Sequence, residues 1–267
     1  MKKSYRKPHQ FRRKKTILKN KIFRLGILIF IIFGAVSYFL FFSDFFQIKK
    51  VFISGEKKVA KKDIESFFPK KNIFLIDAKA IKGEILNTFP QVAGIEIKRE
   101  FPDSLNVIIA ERAESAVFCQ ARLSFSSENL SGQEEKCFLL DKEGIVFEEI
   151  SLEDNPRQAI RNLLIGRELA LGERAVNGEY LSGILQIRDE LTSSLGISLW
   201  ELIISSGDKL TVLVLGGWEI YFDLQKDIDW QLTKLRAVLE EKIPEDKRGE
   251  LEYIELRFGN LAPFKYR

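Results

Sequence analysis

The chain has 267 residues with 42 basic and 38 acidic side chains, and the charge is unevenly divided. Residues 1–24 hold 11 Lys/Arg and no Asp or Glu, which leaves 31 basic against 38 acidic residues, a net of −7, for the rest. The single histidine, His9, lies in that basic tail, and there are two cysteines. The body therefore has no Ser-His-Asp or Cys-His constellation, and a zinc site, which wants about four N/S donors, lacks its ligands.

In chain order, the tail reads as a topology signal that also meets anionic lipid. No recognition motif accompanies its charge, so nucleic acid is not expected as a partner. Leu25–Phe42, LGILIFIIFGAVSYFLFF, is uncharged and bracketed by Arg24 and Asp44. As a helix it spans roughly 27 Å, enough to cross a hydrocarbon core, and predicts a transmembrane segment. A cleaved signal peptide is the rival reading, but Ala35-Val36-Ser37 fits its small-x-small site weakly and mid-run. Dense Lys/Arg beside a span stays in the cytoplasm, so the body is expected outside.

The next stretch predicts a β-α-α-β-β unit. FQIKKVFISG (46–55) alternates as a strand, and VAKKDIESFF (59–68) has helical spacing up to Pro69. Asp77 is placed to cap a helix with Ala78, Ile81, Ile85 and Phe89 on one face. VAGIEIKREF (92–101) and SLNVIIAERA (104–113) read as strands joined at Pro102-Asp103. Beyond Ala113, Cys119 and Cys137 flank a polar insertion at 120–136, and 137–150 reads as a hairpin around Asp141–Gly144. A helix over 179–196 precedes strands at 200–205, 209–215 and 218–223, the last two joined at Gly216-Gly217. Trp200 and Trp218 are expected in the core under a helix over 224–243 that buries Ile228, Leu232, Leu235 and Leu239. The closing LEYIELRFGNLAPFKYR alternates as a strand, with Ile254, Leu256 and Phe258 on one face. The fold class is α+β: a transmembrane helix, a small β-α-α-β-β domain, and a mixed α/β domain with an antiparallel sheet. Paired carboxylates such as Glu148-Glu149 and Glu240-Glu241 read as solvated surface, so neither catalytic residues nor a cofactor or small-molecule substrate are expected.

The order of a basic tail, one span, FQIKKVFISGEKKVAKKDI, NIFLID, FPQVAGIEIKREFPDSLNVIIAERAESAVF, FLLDKEGIVFEE and LEYIELRFGNLAPFKY resembles the FtsQ/DivIB family of bacterial cell-division proteins. The resemblance implies a cytoplasmic tail at 1–24, the span at 25–42, a polypeptide-transport-associated (POTRA) domain at 43–113 and a β-domain at 114–267. It further implies a non-enzymatic assembly role at the septum, and partners similar to FtsB/DivIC and FtsL. The partner surface would be Arg257, Phe258, Gly259, Asn260 and Leu261. An export or chaperone component that receives extended polypeptides by β-augmentation would share the first domain and is the alternative. The insertion and its cysteines depart from the family pattern.

Two expectations remain open in the residues themselves. Cys119 and Cys137, in an oxidising compartment, form either a disulfide or two buried thiols. The strand Glu252–Arg257 is expected beside one of the 200–223 strands, with its other edge and the run Phe258–Phe264 left for a partner. The alternation also permits Phe258 to enter its own core.

Overall fold

The computed structural model describes residues 21–122, 134–151, 159–162, 169–206 and 208–267. The tail through residue 20, His9 included, and the middle of the polar insertion lie outside them. Helix α1, Lys21–Phe42, has no buried residue. Among the described residues it is the helix long and apolar enough to cross a membrane. A core helix of the same composition would be covered by the fold, and this one is not.

The first domain comprises β1 (Lys50–Ser54), α2 (Lys61–Glu65), α3 (Ala78–Thr88), β2 (Val92–Glu100) and β3 (Ser104–Glu111). Its sheet runs β1-β3-β2, with β1 parallel and β2 antiparallel to β3. Asp77 caps α3 by accepting from Lys79 N and Ala80 N, both at 3.0 Å. Ile81 and Ile85 then turn onto Ile64, Ile73, Leu105 and Val107. Helix α2 is shorter than its spacing suggested: Phe67 N and Phe68 N bond back to Ile64 O and Glu65 O, a tightening that ends it early. Gly55 closes β1 at φ +91, where a Cβ would stand 2.1 Å from Ile109 O. Only glycine fits there.

The second domain holds β4 (Ala116–Arg122), β5 (Glu134–Leu140), β6 (Val146–Ile150), β7 (Ile160–Asn162), α4 (Gly178–Asp189), β8 (Leu199–Ser206), β9 (Lys209–Val214), β10 (Glu219–Asp223), α5 (Ile228–Glu241), β11 (Leu251–Glu255) and β12 (Phe264–Tyr266). These nine strands form one sheet in the order β12-β11-β10-β9-β8-β7-β4-β5-β6. Most ladders are antiparallel, while β4–β7, β7–β8 and β10–β11 are parallel. Two of the parallel pairs follow from connectivity. Helices α4 and α5 carry the chain from β7 to β8 and from β10 to β11, and a crossover helix returns the chain in the same direction. Both helices pack on the face that buries Phe118, Leu140, Leu202, Val212, Ile220, Phe222 and Ile254.

Trp218 is buried as expected, but Trp200 is exposed. The β8–β9 register shifts between Leu199 and Glu201. That extra residue reverses the alternation, so Leu199 enters the core and Trp200 turns out.

Cys119 and Cys137 are directly opposed on β4 and β5 and joined by a disulfide, with Cα atoms 4.1 Å apart. They sit on the sheet face away from the helices, against Val117, Leu139 and Phe147. The ladder continues past them through Gln120–Lys136 to Arg122–Glu134. Both ends of the expected insertion, 120–122 and 134–136, are thus strand, and the bridge lies within the ladder instead of at its end. Thiol labelling of denatured, unreduced protein is expected to find no free cysteine. Two labelled thiols per chain would show that the pair is only packed.

The two domains meet at Arg112. Its Nε donates to Pro90 O at 2.9 Å and its guanidinium pairs with Asp141 in the β5–β6 turn. Asp141 Oδ1 in turn accepts from Glu143 N and Ile145 N, both at 3.0 Å. Lys58 of the first domain reaches Glu148 of the second at 2.5 Å.

Candidate functional site

Strand β11 was expected to pair with its own domain on one side, and it does so, parallel to β10. Its other side is not open. The chain turns after Leu256 and returns as β12, antiparallel to β11. Glu255 N donates to Pro263 O at 2.8 Å, which closes the return. The unpaired edge therefore belongs to β12, one strand further out than the alternation of 252–257 suggested.

The alternation itself stops at Leu256. Ile254 and Leu256 are buried, whereas Phe258 is 58% exposed and Leu261 70% exposed. Leu261 N donates to Phe258 O at 3.0 Å, and Gly259 takes a φ of +29 between them. This turn lifts Phe258 off the face its two predecessors share. Asn260 and Gly259 lie exposed at the same bend.

An exposed loop of this length would ordinarily be loose, but helix α5 fixes its backbone. Lys234 Nζ donates to Leu256 O at 2.6 Å, Gly259 O at 3.0 Å, Leu261 O at 3.1 Å and Phe258 O at 3.4 Å. Burial, with the charge of Lys226 adding to it, holds the Lys234 pKa below the usual lysine value, and Glu255 opposes the shift. Trp230 Nε1 donates to Gly259 O at 3.3 Å, and Lys226 Nζ to Arg257 O at 2.7 Å. Three residues of one helix and its approach thus hold a single turn of chain by its carbonyls. The side chains of Phe258 and Leu261 remain free to face outward.

Arg257 has a different character. Its Nε donates to Glu255 Oε1 at 2.7 Å, and its guanidinium lies 5.0 Å from the centre of the Tyr221 ring. The hydrogen bonds with Glu255 raise its pKa. Arg257 braces the end of β11 within the chain. Tyr221 donates its hydroxyl to Glu219 Oε2 at 2.6 Å and stacks toward Tyr253 at 5.6 Å.

Burial and the Glu219 carboxylate push the Tyr221 pKa up to about 12 from 10.0. The neutral phenol is favoured in the fold. Its contribution to stability is therefore complete below pH 10 and lost as pH rises from 10 to about 12. Ultraviolet titration is expected to show one late-titrating tyrosine that disappears in Tyr221→Phe. An unchanged curve in that variant would assign the late proton elsewhere.

Helical spacing in α5 pointed to Ile228, Leu232, Leu235 and Leu239 and passed over Lys234 and Gln231. Both polar residues are buried. Gln231 receives Asp223 N at 2.9 Å and donates to Asp223 O at 2.8 Å, tying α5 to the end of β10. The available signal was that 231, 234, 235 and 238 also share a face. Among the described residues, no group of three or more His, Cys, Asp or Glu side chains is placed to hold a metal.

Comparison with known proteins agrees with this architecture. Residues 46–112 match the FtsQ-type POTRA domain, and residues 132–257 match the C-terminal domain of the cell division protein FtsQ/DivIB. The cell division protein FtsQ of Syntrophotalea carbinolica is 26% identical over 118 residues, which is 43% of this chain and 36% of that protein. The match thus spans about a third of the relative's own length. The major extracytoplasmic domain of the trans isomer of DivIB from Geobacillus stearothermophilus aligns at 15% identity with a TM-score of 0.27. It covers 49% of this chain and 92% of its own. With both domain types matched behind a helix long and apolar enough to cross a membrane, the chain belongs to the FtsQ/DivIB family of cell division proteins.

Proposed function

We propose that this chain is a non-enzymatic assembly protein of the division machinery. Residues 1–24 lie in the cytoplasm, 25–42 cross the membrane, and the domains at 43–113 and 114–267 stand outside it. There the chain links other single-pass division proteins, similar to FtsB/DivIC and FtsL, and helps place them at the septum. The observation that carries this reading is the outer edge of the nine-stranded sheet. Strand β12 has its outer backbone edge unpaired among the described residues, beside exposed Phe258 and Leu261. A partner strand adds to β12, taking main-chain hydrogen bonds there and side-chain contacts from Phe258 and Leu261. The family match supports division as the setting, and the charge division of the sequence supports the orientation.

A fluorescent fusion in dividing cells is expected to collect at midcell, and protease added to spheroplasts is expected to remove the body and leave a tail-plus-span fragment. Even spread around the envelope would overturn the septal role. A soluble protein beginning near Tyr38 would make the span a signal peptide.

A further inference from the structure

The end of the first domain nearest α1 is tied to that helix by both backbone and side chains. Asn72 Nδ2 donates to Leu40 O at 2.8 Å and to Phe41 O at 3.1 Å. These are carbonyls that a helix end leaves without partners of its own. Ile73 N donates to Phe46 O at 2.9 Å, and Gln47 forms a bridge with Asn72. From the other side Arg99 Nη2 donates to Ile76 O at 2.9 Å, which pins the 72–76 loop to β2. Phe74 sits at the middle of this joint, its ring 6.1 Å from Phe41, 5.3 Å from Phe46 and 5.1 Å from Phe101. The loop, the end of α1 and the β2–β3 turn are therefore one packed unit.

That unit presents large apolar side chains to its surroundings. Phe45, Leu75 and Phe101 are 54%, 61% and 57% exposed; the Phe45 ring meets Phe39 of α1, and the Phe101 ring is linked to Phe41 of α1 through Phe74. Each such side chain gains about 1.5–3 kcal/mol when removed from water. Lys49, Lys70 and Lys71 are exposed around the same rim. Aromatic rings flanked by lysines at the end of a span match the boundary between headgroups and acyl chains, where the stems lie along apolar surface and the ammonium groups reach water.

We propose that this rim is a membrane-docking foot: Phe45, Phe74, Leu75 and Phe101 insert into the bilayer interface, with lipid as their partner. The proposal rests on α1 crossing the membrane. Its consequence is geometric. Strand β3 runs from the foot at Ser104 to the joint beside Arg112, eight residues at ~3.3 Å each, so the second domain begins roughly 25 Å above the foot. The first domain then acts as an upright spacer fixed at both ends, and the β12 edge is held at a set height.

The test uses the full chain in nanodiscs of phosphatidylethanolamine and phosphatidylglycerol, with bromines placed high on a fraction of the acyl chains. Leu75→Trp and Phe101→Trp each add a reporter at the foot, and Lys57→Trp adds one at the far end of the first domain. All three positions are exposed, and the three native tryptophans, all in the second domain, serve as background. Most of the added emission at 75 and 101 is expected to be lost to the bromines, with none lost at 57. Equal quenching at all three positions, or none at 75 and 101, would overturn the foot while leaving the span intact. Failure of the chain to enter discs would sink the span itself, and the foot with it.

Discussion

Phe258→Ala is expected to leave thermal stability unchanged while weakening capture of an FtsB/DivIC-type partner about thirtyfold, the equivalent of ~2 kcal/mol. The two halves of that expectation have separate causes. Stability is spared because the ring is exposed and makes no core contact that Ile254 and Leu256 do not already supply. Binding is lost because a ring held on a fixed backbone enters a partner pocket with little ordering cost, the circumstance in which one aromatic side chain dominates an interface. Leu261→Ala should act in the same direction with a smaller effect, having less area to bury. Melting and capture must be measured on the same preparation. A large drop in melting temperature would return Phe258 to the core. Unchanged capture at normal stability would move the partner surface away from this turn.

Much of the architecture was legible because it depends on local rules. Asp77 caps α3 as its position suggested, Gly216-Gly217 joins β9 to β10, and the uncharged run from Leu25 forms one helix. What escaped is what depends on residues distant in sequence. Strand β7 is three residues long, too short to show an alternation, and is defined by neighbours β4 and β8 some forty residues away on either side. The exposure of Trp200 follows from a register shift against β9 that no periodicity in β8 announces. The occupation of the β11 edge by β12 is a third instance. Pro263 reads as a strand stop, yet its carbonyl accepts from Glu255 and starts the return that lets β12 pair. At the candidate site the exposed residues were found from the resemblance, whereas their support was not. A lysine in a helix reads as surface unless the chain that supplies its acceptors is already known to pass over it.

Lys234 supports that turn, and Lys234→Met tests how much the site depends on it. Methionine keeps the length of the stem and removes the donors. Two opposing terms set the size of the effect. A hydrogen bond from a charged group is worth about 1.5–3 kcal/mol, and the ammonium divides its three N–H groups among four carbonyls. Removing the ammonium also removes the cost of burying it, the cost that lowers its pKa. The carbonyls of Phe258, Gly259 and Leu261 lie on an exposed turn and regain water, so the loss concentrates at the buried Leu256 O, 2.6 Å from Nζ. The net destabilisation is expected near the lower end, about 2 kcal/mol, or ~4–8 °C in melting temperature for a domain of this size. Partner capture should fall as well, because Phe258 and Leu261 lose the fixed backbone that presents them. The pattern across the two variants is the informative result: Phe258→Ala changes binding alone, and Lys234→Met changes both. If Lys234→Met melts normally and still captures partner, the turn holds its shape without the lysine, and Trp230 and Lys226 suffice to position it.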